Sequence, residues 1–217
     1  MRDLAGYVSY IFLMKITQTS IPEVLLFEPR VFQDERGFFL ESFNQKVFDE
    51  AVGGHYDFVQ DNHSASSANI LRGLHYQIEN TQGKLVRVAV GSVYDVAIDI
   101  RRGSPSFGKS VGKILSAENK KQLWVPPGFA HGFYVLSETA EVLYKATDFY
   151  SPEHERSIVW NDLDLKIGWP TAGQTPIVSS KDAEGDTFAE ADLFDYASCI
   201  KTYPSAAITA TSTQGGT

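Results

Sequence analysis

The fold is decided by Leu71-Arg72-Gly73-Leu74-His75-Tyr76-Gln77, together with Pro126-Pro127-Gly128-Phe129-Ala130-His131 further along the chain. Each stretch is a short β-type run with one histidine, and two such strands can point their imidazoles into one cavity. A metal site needs three or four His, carboxylate or thiolate ligands. Gln77 stands where a second histidine would complete a metal-binding pair, and residues 78–83 add only Glu79, which comes too early. The sequence therefore predicts a cavity without a bound metal.

The two histidine strands resemble the half-motifs of cupin barrels, a His-x-His strand and a Pro-x-Gly-x-x-His strand. The neighbouring sequence also favours β structure, because residues 93–100 alternate between two faces. One face carries Asp95 and Asp99, either of which could face the cavity or be purely structural. We expect Gly91-Ser92 to form a hairpin turn between residues 84–90 and this run.

Further β-type runs occupy residues 122–125, 132–136 and 140–147, and turn signals separate them. Helical patterning is scarce and is best over residues 45–51 and in a piece after Asp182. We therefore expect an all-β fold, a cupin-type double-stranded β-helix (a jelly-roll barrel) with a few short helices.

Size, charge and composition limit the number of domains and the kinds of partner that the chain can have. A chain of 217 residues suits one domain, and a net charge of −8 argues against nucleic acid as a partner. Residues 7–14 are apolar and could be a short signal-peptide core, but they are too short to span a bilayer and lack a small-residue cleavage site. One cysteine is compatible with a reducing compartment. We expect a cytoplasmic protein without a membrane partner. The expected organisation is a dispensable extension at 1–13, with Met14 as an alternative start, a domain at 14–188 and a C-terminal extension at 189–217, disordered from about residue 202.

Several motifs follow one another in a single order. They are Phe32-Gln33-Asp34-Glu35-Arg36-Gly37-Phe38-Phe39, Val59-Gln60-Asp61-Asn62-His63, Leu71-Arg72-Gly73-Leu74-His75, Gln82-Gly83-Lys84, Gly128-Phe129-Ala130-His131-Gly132 and Trp160-Asn161-Asp162. Together they resemble the dTDP-4-dehydrorhamnose 3,5-epimerase family, cupin-fold enzymes of the dTDP-L-rhamnose pathway, over roughly residues 15–188.

The resemblance implies inversion of C3 and C5 of a 4-keto-6-deoxy hexose carried on dTDP. Both carbons adjoin the C4 ketone, so each inversion can proceed by removing a proton and returning one to the other face. Such chemistry needs a base, an acid on the opposite face and a positive group for the enolate oxygen, and it needs no cofactor.

The same resemblance assigns the catalytic residues. His75 is the base, Tyr144 the proton donor and Lys84 the cation near the C4 oxygen. Asp182 matches the carboxylate that orients the base, although from the residues alone it could equally be a helix N-cap.

The remaining family positions bind substrate, and Tyr150 among them stacks on thymine. Arg36 and Arg72 are the expected diphosphate ligands, because a guanidinium matches phosphate oxygens bidentately. An extended chain would place Tyr144 and Tyr150 about 20 Å apart, in separate sugar and base subsites. The other expected substrate contacts are Glu41, Gln60, Asp61, Asn62, His131, Glu155 and Lys181.

Four other functions compete with a double epimerase. An epimerase acting at C3 or C5 only, or a ketoisomerase on a dTDP-keto sugar, could share the base. A non-catalytic sugar-binding cupin would not need His75, Tyr144 and Lys84 together, and a metal-dependent dioxygenase is disfavoured by Gln77. The family forms dimers, so a homodimer is expected by analogy.

Overall fold

The computed structural model describes residues 13–202, and β-strands dominate it. The strands are β1 (Met14–Gln18), β2 (Leu25–Pro29), β3 (Phe32–Asp34), β4 (Gly37–Phe39), β5 (Gln60–Ser67), β6 (Leu71–Gln77), β7 (Lys84–Val90), β8 (Ser92–Asp99), β9 (Arg101–Arg102), β10 (Ser110–Ser116), β11 (Gln122–Val125), β12 (Phe129–Val135), β13 (Thr139–Ala146), β14 (Glu155–Ser157) and β15 (Phe194–Asp195). The helices are α1 (Gln45–Val52), a 3-10 turn (Pro152–His154), α2 (Ser180–Ala183) and α3 (Tyr196–Thr202).

Two sheets form the body of the fold. A six-stranded sheet has the order β1-β2-β11-β7-β13-β5, and a five-stranded sheet has the order β10-β8-β12-β6-β14. All pairings within both sheets are antiparallel. Strands that are consecutive in the chain often belong to different sheets, which is the signature of a jelly roll. The predicted all-β, cupin-type fold is confirmed.

The connection at Gly91 corrects one prediction. We expected a hairpin there, but β7 lies in the six-stranded sheet and β8 in the five-stranded sheet, so the chain crosses between the sheets at this point. Gly91 has φ +70°, and a Cβ would lie 1.9 Å from the Thr139 carbonyl oxygen. A glycine followed by a strand is thus compatible with a crossing as well as with a hairpin, and the residues alone did not distinguish the two.

The main core lies between the sheets, because each strand turns every second residue inward. In the six-stranded sheet Val86, Val88 and Val142 point inward, and they meet Ala97 and Phe133 from the other sheet. Tyr144 packs against the same cluster. Side chains that share this parity therefore face the interior of the barrel.

Helix α1 covers part of the outside of the barrel. Helix α1, predicted at residues 45–51, places Phe48 and Val52 against Trp124 on the outer face of the six-stranded sheet. The other predicted helix, a piece after Asp182, corresponds to α3, whereas α2 contains Asp182 itself.

The C-terminal segment packs against the barrel as far as it is described. Strand β15 pairs in parallel with β9, Ala191 joins a core cluster and Cys199 on α3 is buried. The expectations for residues 1–12 and for the tail beyond residue 202 lie outside the described residues.

Candidate active site

His75 is held by a buried carboxylate. It lies on β6, and its Nε2 is 2.6 Å from Oδ1 of Asp182, which is in α2. Burial alone would raise the pKa of the Asp182 carboxyl, but hydrogen bonds and charge from His75, together with the Gly73 N–H, lower it. The N-cap of α2 is Ser179, whose hydroxyl accepts from the Asp182 N–H. Asp182 is therefore free to bind the imidazole, and the N-cap alternative is wrong.

A close approach of β6 and β12 shapes the strand that carries His75. Gly73 has φ +114°, and a Cβ there would lie 2.6 Å from the Gly132 Cα. The pairing of the two strands shifts register between His131 and Phe133. Only glycine tolerates this backbone and this contact. The irregularity brings Arg72 toward the cavity as well as His75, although they are three residues apart.

The second histidine also has a carboxylate partner. His131 pairs with His75 across β12 and β6, and its Nε2 lies 2.9 Å from Oδ2 of Asp95 on β8. The Asp95 side chain is fully buried and His131 is nearly so. Asp95 is thus the inward carboxylate that binds the second imidazole, whereas Asp99 accepts hydrogen bonds from Arg101 and from two serine hydroxyls.

The six-stranded sheet supplies the opposite wall. Lys84 begins β7 and pairs with Ala146, and Tyr144 pairs with Asn62 on β5. Burial lowers the pKa of Lys84 to about 8, against the attraction of the Glu155 and Asp95 carboxylates. Burial, followed by the charge of Glu155, raises the pKa of the Tyr144 phenol, which therefore keeps its proton at neutral pH. This wall therefore presents a protonated phenol, Tyr144, and an amine, Lys84, that changes its charge near pH 8.

Glu155 connects the two walls. It begins β14, which pairs with β6, and its Oε2 accepts hydrogen bonds from the Tyr150 hydroxyl at 2.6 Å and from the Lys181 ammonium. Burial alone would raise the pKa of Glu155, but these two bonds and the charge of His75 lower it. The carboxylate in turn raises the pKa of Tyr150 to about 12. A charged carboxylate therefore lies within electrostatic reach of the base, the phenols and the lysines.

The expected separation of Tyr144 and Tyr150 needs correction. Strand β13 ends at Ala146, so the chain between them is not extended. The Tyr150 N–H bonds the side chain of Gln60, which also donates to the Asn62 side chain, and Asn62 pairs with Tyr144 across β5 and β13. The two rings are thus closer than about 20 Å. The misjudgement came from extending the strand parity through residues 147–150, where no strand exists.

Most of the predicted substrate residues come together in this region. Arg72 donates to the Ser66 hydroxyl and to the Ala65 carbonyl oxygen, and its charge lowers the pKa of Tyr144. The residues that gather around the cavity in this way are Gln60, Asn62, Arg72, His75, Lys84, His131, Tyr144, Tyr150, Glu155, Lys181 and Asp182.

Two predicted residues do not join them, and a third, Glu41, has no hydrogen bond within the described residues that connects it to the group. Asp61 has the opposite parity on β5 and forms an ion pair with Lys145 on the outer face of the sheet. Arg36 lies on the exposed β3–β4 hairpin, where it bonds Asp34. Glu41 has an enclosed Oε1 without a hydrogen-bond partner in the described part of the chain.

Sequence reasoning missed part of the polar framework. It did not pair Asp95 with His131, and it treated Gln77 only as an absent metal ligand, whereas the Gln77 amide is buried and bonds backbone groups. Within residues 13–202 no cluster of three His, Cys, Asp or Glu side chains could hold a metal ion. No helix in that range is long and apolar enough to cross a membrane.

A jelly-roll barrel with a histidine–carboxylate pair facing a phenol and an amine defines the class of acid–base enzymes on a cupin scaffold. Comparison with known proteins makes this specific. The profile of the family described as dTDP-4-dehydrorhamnose 3,5-epimerase matches residues 18–190. The chain is 64% identical over 181 residues to the dTDP-4-dehydrorhamnose 3,5-epimerase of Pseudomonas aeruginosa, a match that covers 83% of this chain and 99% of the relative.

Solved structures agree with the sequence comparison. A dTDP-6-deoxy-D-glucose-3,5-epimerase from Legionella pneumophila, in complex with dTDP-4-keto-L-rhamnose, is 53% identical with a TM-score of 0.82 and covers 84% of this chain and 98% of its own. The 3'-monoepimerase ChmJ from Streptomyces bikiniensis, in complex with dTDP-quinovose, is 30% identical with a TM-score of 0.80 and covers 85% of this chain and 96% of its own. The chain belongs to the dTDP-4-dehydrorhamnose 3,5-epimerase family.

Proposed function

We propose that this site inverts C3 and C5 of dTDP-4-dehydro-6-deoxy-D-glucose to give dTDP-4-dehydro-L-rhamnose, without metal or cofactor. The observation that carries the proposal is the distribution of acid and base between two walls. His75, bonded to Asp182, lies on the five-stranded sheet, while Tyr144 and Lys84 belong to the six-stranded sheet. A base and an acid on opposite sides of a planar enolate are what an inversion requires.

Each inversion follows the same sequence. The neutral His75 imidazole removes the proton from the carbon beside the ketone, and the C–H electron pair moves toward the C4 oxygen. Lys84 stabilises the negative charge on that oxygen, and Asp182 stabilises the imidazolium. The Tyr144 hydroxyl then gives its proton to the carbon from the other face. The phenolate recovers a proton from solvent, and His75 releases one.

The nucleotide half of the substrate has its own subsite in this proposal. Tyr150 is 51% exposed, so its ring is available to stack on thymine. Arg72 and Lys181 supply positive charge to the diphosphate, with Gln60, Asn62, Glu155 and His131 as further contacts. Because Glu155 bonds both Tyr150 and Lys181, binding of the base and of the diphosphate is coupled to the charge near Tyr144.

Inversion at a single carbon is the second candidate, favoured by one observation. The 3'-monoepimerase ChmJ has the same fold at a TM-score of 0.80, so the scaffold does not determine how many carbons react. Incubating the purified protein with the 4-keto sugar in deuterated water separates the two functions. We expect deuterium at both C3 and C5. Deuterium at one carbon only would establish the single epimerase.

The division of labour between base and acid is tested in the same assay. His75→Ala should lose both exchange and inversion, because no proton leaves the carbon. Tyr144→Phe should retain some exchange, since His75 can return the proton to its original face. Removing a positioned acid or base costs about 10²–10⁴ in rate. Full inversion by Tyr144→Phe at close to the wild-type rate would refute its role as donor.

We also propose that the enzyme is a cytoplasmic homodimer. Arg36 on its exposed hairpin lacks a hydrogen bond or ion pair to the cavity of its own chain, among the residues described, and Phe38 and Phe39 beside it are exposed. A second copy that covers this hairpin would explain both observations. Light scattering after gel filtration should give twice the chain mass, and a monomer that is fully active would contradict this assembly.

A further inference from the structure

Gln77 stands where metal-binding cupins place a ligand, yet its side chain is fully engaged elsewhere. Its Nε2 donates to the carbonyl oxygens of Asn80 at 2.7 Å and Phe149 at 3.1 Å, and its Oε1 accepts from the Ser151 N–H at 3.0 Å. The residue is 3% exposed. Both amide hydrogens and the oxygen are thus used by backbone groups, and two of the three partners belong to the segment that carries Tyr150.

That segment, residues 148–151, is here called the Tyr150 loop. Two further glutamines bind it: Gln82 donates to the Asp148 carbonyl oxygen at 2.9 Å, and Gln60 accepts from the Tyr150 N–H at 2.9 Å. Glutamine side chains therefore bond the backbone of every residue in the loop. They come from β5, from the end of β6 and from the turn before β7.

Packing does little to hold the same loop. Phe149 is 63% exposed and Tyr150 is 51% exposed, so the two large side chains bury limited apolar surface. The Tyr150 hydroxyl is anchored to Glu155, but this bond fixes the ring only if the backbone beneath it is fixed. The amide bonds from these three glutamines tie the loop backbone to the barrel.

We propose that Gln77 is a positioning residue for nucleotide binding, holding the Tyr150 loop so that the phenol ring is preorganised to stack on the base of the dTDP-sugar. The inference rests on the proposed function, because it takes Tyr150 as the base-stacking residue. The cupin position that elsewhere binds a metal supports the nucleotide subsite in this chain. A loop released from Gln77 must be ordered on binding, which weakens affinity without changing the reacting groups.

The test compares two buried glutamines. Gln77→Met removes all three bonds with little change in volume. Gln122→Met is the matched control, because Gln122 is also 3% exposed and donates to a distant backbone carbonyl, that of Ser42 at 2.7 Å. We expect Gln77→Met to raise the Kd for dTDP, measured by calorimetry, and the KM for the sugar nucleotide by about tenfold. Its kcat should stay within about twofold of wild type, and Gln122→Met should change neither affinity.

A double-mutant cycle separates positioning of Tyr150 from a general structural role. In a Tyr150→Ala background, Gln77→Met should no longer weaken dTDP binding, because the ring that it positions is absent. Equal dTDP affinity of Gln77→Met and Gln122→Met, or an undiminished effect without the Tyr150 ring, would overturn the inference.

Two further outcomes are informative. If Gln77→Met does not fold, Gln82→Met is the alternative variant, because it removes only the bond to Asp148. It should raise the Kd for dTDP by a smaller factor than expected for Gln77→Met. An unchanged Kd would contradict the inference. If the wild type binds dTDP but does not epimerise the keto sugar, the proposed function fails, whereas the dTDP affinities of the variants still decide the role of Gln77.

Discussion

Replacing Lys84 with Met should make the protein more stable and less active. The Lys84 amine is buried, and burial lowers its pKa from 10.5 to about 8. Since each tenfold change in proton affinity is worth 1.36 kcal/mol, the charged amine destabilises the fold by about 3 kcal/mol near neutral pH. Lys84→Met removes the charge and keeps an apolar stem of similar length, so we expect a gain of about 2–3 kcal/mol at pH 7.

The pH dependence follows from the same pKa. Below pH 8 the amine is charged in both the folded and the unfolded chain, and the full desolvation cost applies. Between about pH 8 and 10.5 the folded chain loses this proton first, so the unfolded chain binds more protons and stability rises with pH. Above that range the amine is neutral in both states. The stability difference between the wild type and Lys84→Met should therefore shrink over this interval.

Urea unfolding at pH 7 and near pH 10.5 measures both effects, with unchanged m-values as the check for two-state behaviour. Lys145→Met, on the outer face of the neighbouring strand, is the control and should lie within about 0.5 kcal/mol of wild type. Activity should move in the opposite direction. Loss of the cation at the enolate oxygen costs about 10²–10³ in kcat, and wild-type kcat/KM should fall as pH rises through about 8. A Lys84→Met protein that is less stable at pH 7, or a stability gap that is independent of pH, would refute the reasoning.

Four further outcomes are expected. Chelator treatment should leave turnover unchanged, and a loss that a divalent ion restores would contradict the metal-free mechanism. Asp182→Asn should lower kcat by about 10–100-fold, because a charge-assisted bond to His75 is weakened by about 1.5–3 kcal/mol. The control is Asp162→Asn: the Asp162 carboxylate is also buried and bonds backbone N–H groups, so this variant should lose stability but keep kcat. Arg72→Ala should mainly raise the KM and the Kd for dTDP, and unchanged dTDP affinity would exclude a diphosphate contact. Removing residues 203–217 should preserve fold and activity. Removing residues 189–217 should destabilise the barrel, because Ala191 and Phe194 are lost from a core cluster. Equal melting temperatures of the two truncated proteins would contradict this.

The architecture was largely readable from the sequence because inward and outward residues alternate along single strands. The alternation over residues 93–100 separated the Val96 and Ile98 face from the Asp95 face, and the structure places these faces in different clusters. Pairing of strands was not readable in the same way. A glycine at residue 91 fits a hairpin and a crossing equally well locally, and contacts with strands distant in sequence decide between them.

The candidate site was predictable where motifs fix residue identity, and less so where it depends on long-range placement. His75 and Asp182 are separated by 107 positions, and their hydrogen bond depends on α2 returning to β6. The side chains of Gln60 and Gln77 bond the backbone around Tyr150, and no strand pattern encodes these contacts. The family resemblance supplied His75, Asp182, Tyr150 and Gln60 but not Gln77, and the contacts of all of them had to come from the structure.

The protonation states of Tyr144 and Lys84 depend in part on Glu155, a residue that transfers no proton in the proposed mechanism. After burial, the Glu155 carboxylate is the next cause that raises the pKa of the Tyr144 phenol, and its attraction opposes the effect of burial on Lys84. Both effects favour the protonated forms that the proposed mechanism needs in a donor and in an enolate-stabilising cation. The hydrogen bonds from Tyr150 and Lys181 keep Glu155 ionised and are made by two groups assigned to the nucleotide. Occupation of the nucleotide subsite can thus alter the charge that Tyr144 and Lys84 experience, which links recognition of dTDP to the chemistry at the sugar.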